Sequence, residues 1–92
     1  PIGVWGQRHL KHIQKHCKPF YNKKLNEHTH YDYLLQLDCD AEDMFNRLVK
    51  QMAEREGVTE QFKADNQMQW VGLMNNIRSR AIEVVNIELI FV

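Results

Sequence analysis

Two long stretches of helical-period hydrophobicity meet at a single break, Gly57-Val58-Thr59. Before it, residues 31–56 carry Leu34, Leu37, Ala41, Met44 with Phe45, Leu48 and Met52, the three-four spacing of a packing helix. After it, residues 59–90 carry Phe62, Trp70 with Val71, Met74, Ile77, Ala81, Val84 with Val85, and Leu89. A glycine takes the left-handed conformation just past a helix end, so Gly57 is read as the stop of the first helix. Val58 can fold back on Met52 or Ala53, and Thr59 is a competent N-cap for the next helix. At 1.5 Å per residue the two helices would be about 39 and 48 Å long, and a short loop makes them antiparallel. Three local alternatives stand beside this reading. The acids from Asp38 to Asp43 would suit a helix start or kink near Asp38, and Asp65 can cap a second start in the last helix. The β-branched tail VVNIELIFV also allows a terminal strand.

Residues 4–17 form a basic amphipathic helix with Val4, Leu10, Ile13 and Cys17 near one stripe. Pro19 is disfavoured inside a helix but suits a first turn, and it pushes Lys18 out of the helical region. The first helix therefore ends near Cys17 or Lys18, and a short one over 19–27 presents Phe20, Tyr21 and Leu25. The expected class is all-α: a small helical bundle built on the long hairpin, with two shorter N-terminal helices in one domain, 1–92. A globule of this length has a radius of gyration of about 12 Å, so helices this long leave apolar stripes that the short helices cover only in part. A homodimer is the simplest remedy.

The chain is neutral overall, yet its charges are segregated. Within residues 1–30, Arg8, Lys11, Lys15, Lys18, Lys23 and Lys24 face only Glu27, whereas residues 31–60 are acidic. The six cations are candidate nucleic-acid contacts, with Trp5, Phe20 and Tyr21 as stacking groups or, more simply, as core. Charge matching within or between chains explains the same pattern. Asp38, Asp40, Glu42 and Asp43 read as a solvated acidic face. Cys17 and Cys39 form no CxxC pair, which points to reduced thiols and a cytoplasmic protein. The apolar run of residues 84–92 is far shorter than the roughly 20 residues a membrane span needs.

Signals for chemistry are sparse. His9, His12 and His16 recur at helical spacing beside Cys17, but no carboxylate stands among them and no HExxH is present, so no metal is assigned. There is no GxGxxG, Walker loop, GxSxG elbow or carboxylate pair in an apolar setting, so neither catalysis nor a cofactor is expected. Ala53-x-x-x-Gly57-Val58-Thr59 has the outline of a DNA-binding helix-turn-helix. Lys63, however, stands where an apolar residue should pack, and Glu60 and Asp65 suit phosphates poorly, so an ordinary helical hairpin is preferred.

The stretch GVTEQFKADNQMQWVGLMNNIRSRAIEVVNIELIFV, together with WGQRHLKHIQKHCKPFYN and LVKQMAEREG, resembles the TnpV family of small transposon-encoded bacterial proteins. The resemblance is sharpest at Gly57-Val58-Thr59-Glu60, Lys63-Ala64, Asn66-Gln67-Met68, Trp70-Val71, Met74-Asn75, Ile77-Arg78 and Glu88-Leu89-Ile90. It departs at residues 23–34, where KKLNEHTHYDYL stands in place of a glycine-containing turn. It implies a mobile-element context, an accessory rather than a strand-transfer role, and a further segment before Pro1. Asn66, Gln67, Trp70, Asn75 and Arg78 are then read as a partner or packing surface. The expectation is a non-enzymatic accessory protein that contacts DNA or a recombination protein through its basic N-terminal region. The alternative is a helical dimerisation module without direct nucleic-acid binding.

Overall fold

The computed structural model describes residues 1–92 and is helical throughout, with no strand. The helices are α1 (Val4–His16), α2 (Lys18–Asn26), α3 (His30–Arg55), α4 (Glu60–Asp65) and α5 (Gln67–Val85), and α5 runs on into a π-helical turn, Asn86–Ile90. Helices α3 and α5 pack side by side as the expected hairpin, while α1 packs on α3 and on the π turn. The molecule is a rod of 55 × 20 × 18 Å with a radius of gyration of 16.7 Å.

The bend forms as its residues dictate. Gly57 has φ +74°, Val58 N–H donates to the Ala53 carbonyl at 2.8 Å, and Gly57 N–H donates to the Glu54 carbonyl at 3.3 Å. This pair of bonds satisfies carbonyls that the end of α3 would otherwise leave open. Val58 is buried with Met74 and Ile77, and Met52, Ala53 and Trp70 pack around it. Thr59 Oγ1 then accepts from Phe62 N–H at 3.3 Å and caps α4. Outside the bend, the Arg80 guanidinium holds Glu56 in a two-pronged contact at 2.8 Å per arm. Those hydrogen bonds draw the Glu56 carboxyl below its ordinary pKa.

Several expectations need correction. The last helix is not continuous from 59 to 90: it breaks at Asn66, where φ −144° and ψ 67° leave the helical region. Asp65 does not start the second part; Asn66 does, its carbonyl accepting from Trp70 N–H at 2.9 Å. Adjacent Asp and Asn side chains favour such interruptions because they compete with helical backbone bonds. Lys18 is the first residue of α2 rather than a non-helical junction, and the change of direction falls at Cys17, with φ −134°. Helix runs to Ile90 as expected, and the alternative of a terminal strand does not form. In the π turn Phe91 N–H donates to the Asn86 carbonyl at 2.8 Å, and its wider period brings both Val85 and Ile90, five residues apart, into the core.

The apolar stripe of α1 is rotated from the one expected. Trp5, Gly6, His9 and Ile13 are its buried residues, whereas Val4 is 68% exposed. Trp5 joins Ala41, Val85 and Ile90 in one core cluster, flanked by Leu37, Phe45 and Leu48.

Between α2 and α3 the turn repeats the geometry of the Gly57 bend: Thr29 N–H donates to Lys24 O, and His28 N–H to Leu25 O. Here the left-handed position, φ 58°, is occupied by His28. A β-carbon is disfavoured in that region, by about 1 kcal/mol or more. Replacing His28 with Gly is expected to raise stability by about 0.5–1 kcal/mol, and Gly57→Ala to lower it by about 1 kcal/mol, both read by urea denaturation.

Candidate functional site

Helix α1 presents two faces of opposite character, and the inner one fixes the outer. On the inner side, Trp5 Nε1–H donates to Glu42 Oε2 at 2.8 Å, and the Gly6 backbone N–H donates to Asp38 Oδ1 at 2.8 Å. Helix α1 has no side-chain cap, so a carboxylate from α3 takes up one of its free N-terminal donors. Gly6 permits this approach: a β-carbon there would lie 3.1 Å from the Leu34 carbonyl oxygen and closer still to Ile2. The acidic segment is therefore not simply a solvated face. Asp38 and Glu42 clasp α1, while Asp40 and Asp43 remain exposed.

His9 is the second anchor and is 1% exposed. Its Nδ1 lies 2.7 Å from the Ile90 carbonyl and its Nε2 lies 2.8 Å from the Tyr33 hydroxyl. A carbonyl only accepts, so Nδ1 carries the hydrogen and Nε2 accepts from Tyr33. Burial lowers the His9 pKa, the bond to Ile90 partly opposes this, and nearby His12 lowers it further. Burial likewise raises that of Tyr33. Both ring nitrogens are engaged, so His9 has no lone pair left for a metal. The rings of His12 and His16 lie 5.2 Å apart, and nowhere do three His, Cys, Asp or Glu side chains converge. Beside the His9–Tyr33 pair lies a largely apolar, partly open pocket of about 330 Å³, lined also by Ile13, Cys17, Phe20 and Val92.

On the outer side, Arg8, Lys11 and Lys15 fall roughly 140° around the helix from the buried edge. Lys11, Lys15, Lys18 and Lys23 are exposed. The other two of the six cations are partly committed. Arg8 donates to Asn86 Oδ1 at 2.9 Å and lies 5.1 Å from the Trp5 ring centre, and Lys24 lies 5.4 Å from that of Tyr33. None of the six pairs with a carboxylate, because the one ion pair of the chain is Arg80–Glu56. Trp5 is core, and Phe20 packs edge-on to Tyr33 at 5.3 Å.

Among the residues read as a partner or packing surface, Trp70 packs on the Val58 cluster with Lys63 Nζ 4.5 Å above its ring. Asn66, Gln67, Asn75 and Arg78 are exposed, and Arg78 reaches Asn75 at 3.4 Å. These four do not serve packing within the chain. Helix α4 has six residues and lies against α5. The would-be recognition helix thus has fewer than two turns to offer a groove.

The roles of Asp38, Glu42, Asn86 and Tyr33 escaped sequence reasoning. For His9 a signal was present: Trp5, His9 and Ile13 stand four apart and mark the buried edge better than Val4, Leu10 and Cys17.

A family model described as transposon-encoded protein TnpV matches residues 1–90. The chain belongs to the TnpV family. No curated protein and no solved structure matches it. For this TnpV protein the family match carries a mobile-element setting. No helix is long and apolar enough to cross a membrane.

The His9 anchor gives the fold of this TnpV protein a pH dependence. With the folded pKa held below 6.5, the unfolded chain takes up the proton first as pH falls. The contribution is complete above about 6.5 and is lost as pH drops from there toward the lowered folded value. Urea midpoints should therefore fall between pH 7.5 and 5.5, less so in His9→Gln. Tyr33→Phe, which leaves His9 Nε2 unpaired, should cost about 1–3 kcal/mol at pH 7.5.

Proposed function

We propose that this TnpV protein is a non-enzymatic, cytoplasmic accessory factor of its mobile element, a single domain that contacts DNA, alone or within a recombination complex. The contact surface is the outer side of α1 with the adjoining part of α2. One observation carries this reading: six cations gathered in the N-terminal third have no carboxylate partner in the chain, and Lys11, Lys15, Lys18 and Lys23 stand exposed. The clasp formed by Glu42, Asp38 and His9 holds that surface on a rigid support. Phosphate oxygens match such a surface without base-specific contacts, which predicts sequence-tolerant and salt-sensitive binding.

A second reading, a helical module that pairs with another copy, is supported by the surface the rod leaves exposed. The chain exposes 6344 Å². A monomeric protein of 11.0 kDa exposes about 5,600 Å². The difference approaches the roughly 800 Å² per partner of a standard interface. The two readings are compatible, since a dimer would present two basic surfaces.

Four neutralised phosphates give a log–log salt slope of about −3.6, so affinity for duplex DNA should fall about 150-fold between 50 and 200 mM salt. The double variant Lys11→Ala, Lys15→Ala should flatten the slope by about 1.8. Fluorescence anisotropy with a labelled duplex measures both. No binding at 50 mM salt, or an unchanged slope in the variant, overturns the DNA reading.

A further inference from the structure

The pocket beside the His9–Tyr33 pair is where separate segments of the chain converge. His9 and Ile13 come from α1, Cys17 from the α1–α2 junction, Phe20 from α2, Tyr33 from α3 and Val92 from beyond the π turn. These walls offer an occupant little to hydrogen-bond. Both ring nitrogens of His9 are engaged, and the Tyr33 hydroxyl hydrogen is committed to Nε2. The Cys17 thiol, a weak donor, lies 4.0 Å from the Val92 carbonyl oxygen, and the side chains of Ile13, Phe20 and Val92 are hydrocarbon. An unstacked base is therefore a poor occupant, because its edge needs matched donors and acceptors. An apolar body fits. A cavity of about 150 Å³ takes a benzene ring, so a partly open one of about 330 Å³ takes a molecule of roughly ten non-hydrogen atoms.

A cation stands beside two of the walls. The Lys24 ammonium lies 5.6 Å from the Phe20 ring centre and 5.4 Å from that of Tyr33, and the side chain is half-buried. It has no carboxylate partner, since the ion pair of the chain is Arg80–Glu56. Two aromatic faces hold the ammonium in place without neutralising it. An anionic head group complements it, with the apolar body lying along the rings.

We propose that this pocket binds a small amphipathic carboxylate, its hydrocarbon body among α1, α2 and α3 and its carboxylate at the Lys24 ammonium. Such a molecule touches every segment that meets at the His9 anchor. By mass action its binding stabilises the arrangement that holds the α1 lysines outward, so the site is placed to regulate that surface.

Equilibrium dialysis of the full chain against labelled octanoate tests this. Octanoate should bind, and more tightly than octan-1-ol by about three-fold or more, the effect of a partly exposed ion pair. Lys24→Gln should abolish that preference. Cys17 is partly exposed and so open to labelling. In a Cys39→Ser background, octanoate at ten times its dissociation constant should slow maleimide labelling of Cys17 by about ten-fold. The labelling of Cys39 in a Cys17→Ser background should be unaffected. Absence of octanoate binding overturns the site. Binding that leaves the Cys17 rate unchanged lies elsewhere and overturns it as well. Equal affinity for octanoate and octan-1-ol, or a preference that survives Lys24→Gln, overturns the anionic head group.

Discussion

Three distant parts of the chain meet at the imidazole of His9: α1 contributes the ring, the π turn a carbonyl and α3 a phenol. Helix α1 buries a narrow edge of Trp5, Gly6, His9 and Ile13. Its position depends on His9 and on the two carboxylates, Asp38 and Glu42, that take its free backbone donor and its indole. Paired in this way, buried polar groups fix one arrangement where a purely greasy seam would allow sliding. The same bonds explain why the chain ends in a π turn. An α-helical continuation would carry Ile90 away from the Val85 row and its carbonyl away from the ring.

The rest of the molecule is set by that anchor and by the Gly57 bend at opposite ends of the rod. Between them, α3 and α5 lie side by side with no third layer, which is why so few residues are fully buried and why the radius of gyration, 16.7 Å, exceeds the value of about 12 Å for a globule of this length. A thin scaffold of this kind presents surfaces rather than encloses a site. Its N-terminal cations project from one end.

The division of labour along α1 links packing to function. Its inner edge is spent on α3 and the π turn, so its outer edge is held at a fixed angle with the lysines directed outward. Arg8 shows the transition, since its guanidinium spans the Trp5 ring and Asn86 while the lysines beyond it stay free.

Much of this was legible in the sequence because it is local. Gly57 ended a helix, Thr59 capped the next, and three-four spacing gave the hairpin: each depends on backbone sterics or on neighbours within about five residues. The helical class, the bend and the segregation of charge were therefore determined before any tertiary contact. What only the folded structure decided depends on partners 24 to 81 residues apart. No local rule distinguishes a histidine that will face solvent from one that will meet a carbonyl at the far end of the chain. Nor does any tell Asp38 and Glu42 from Asp40 and Asp43. The break at Asn66 and the π turn belong to the same class, because local preference left several continuations close in energy and packing against α3 and α1 chose among them.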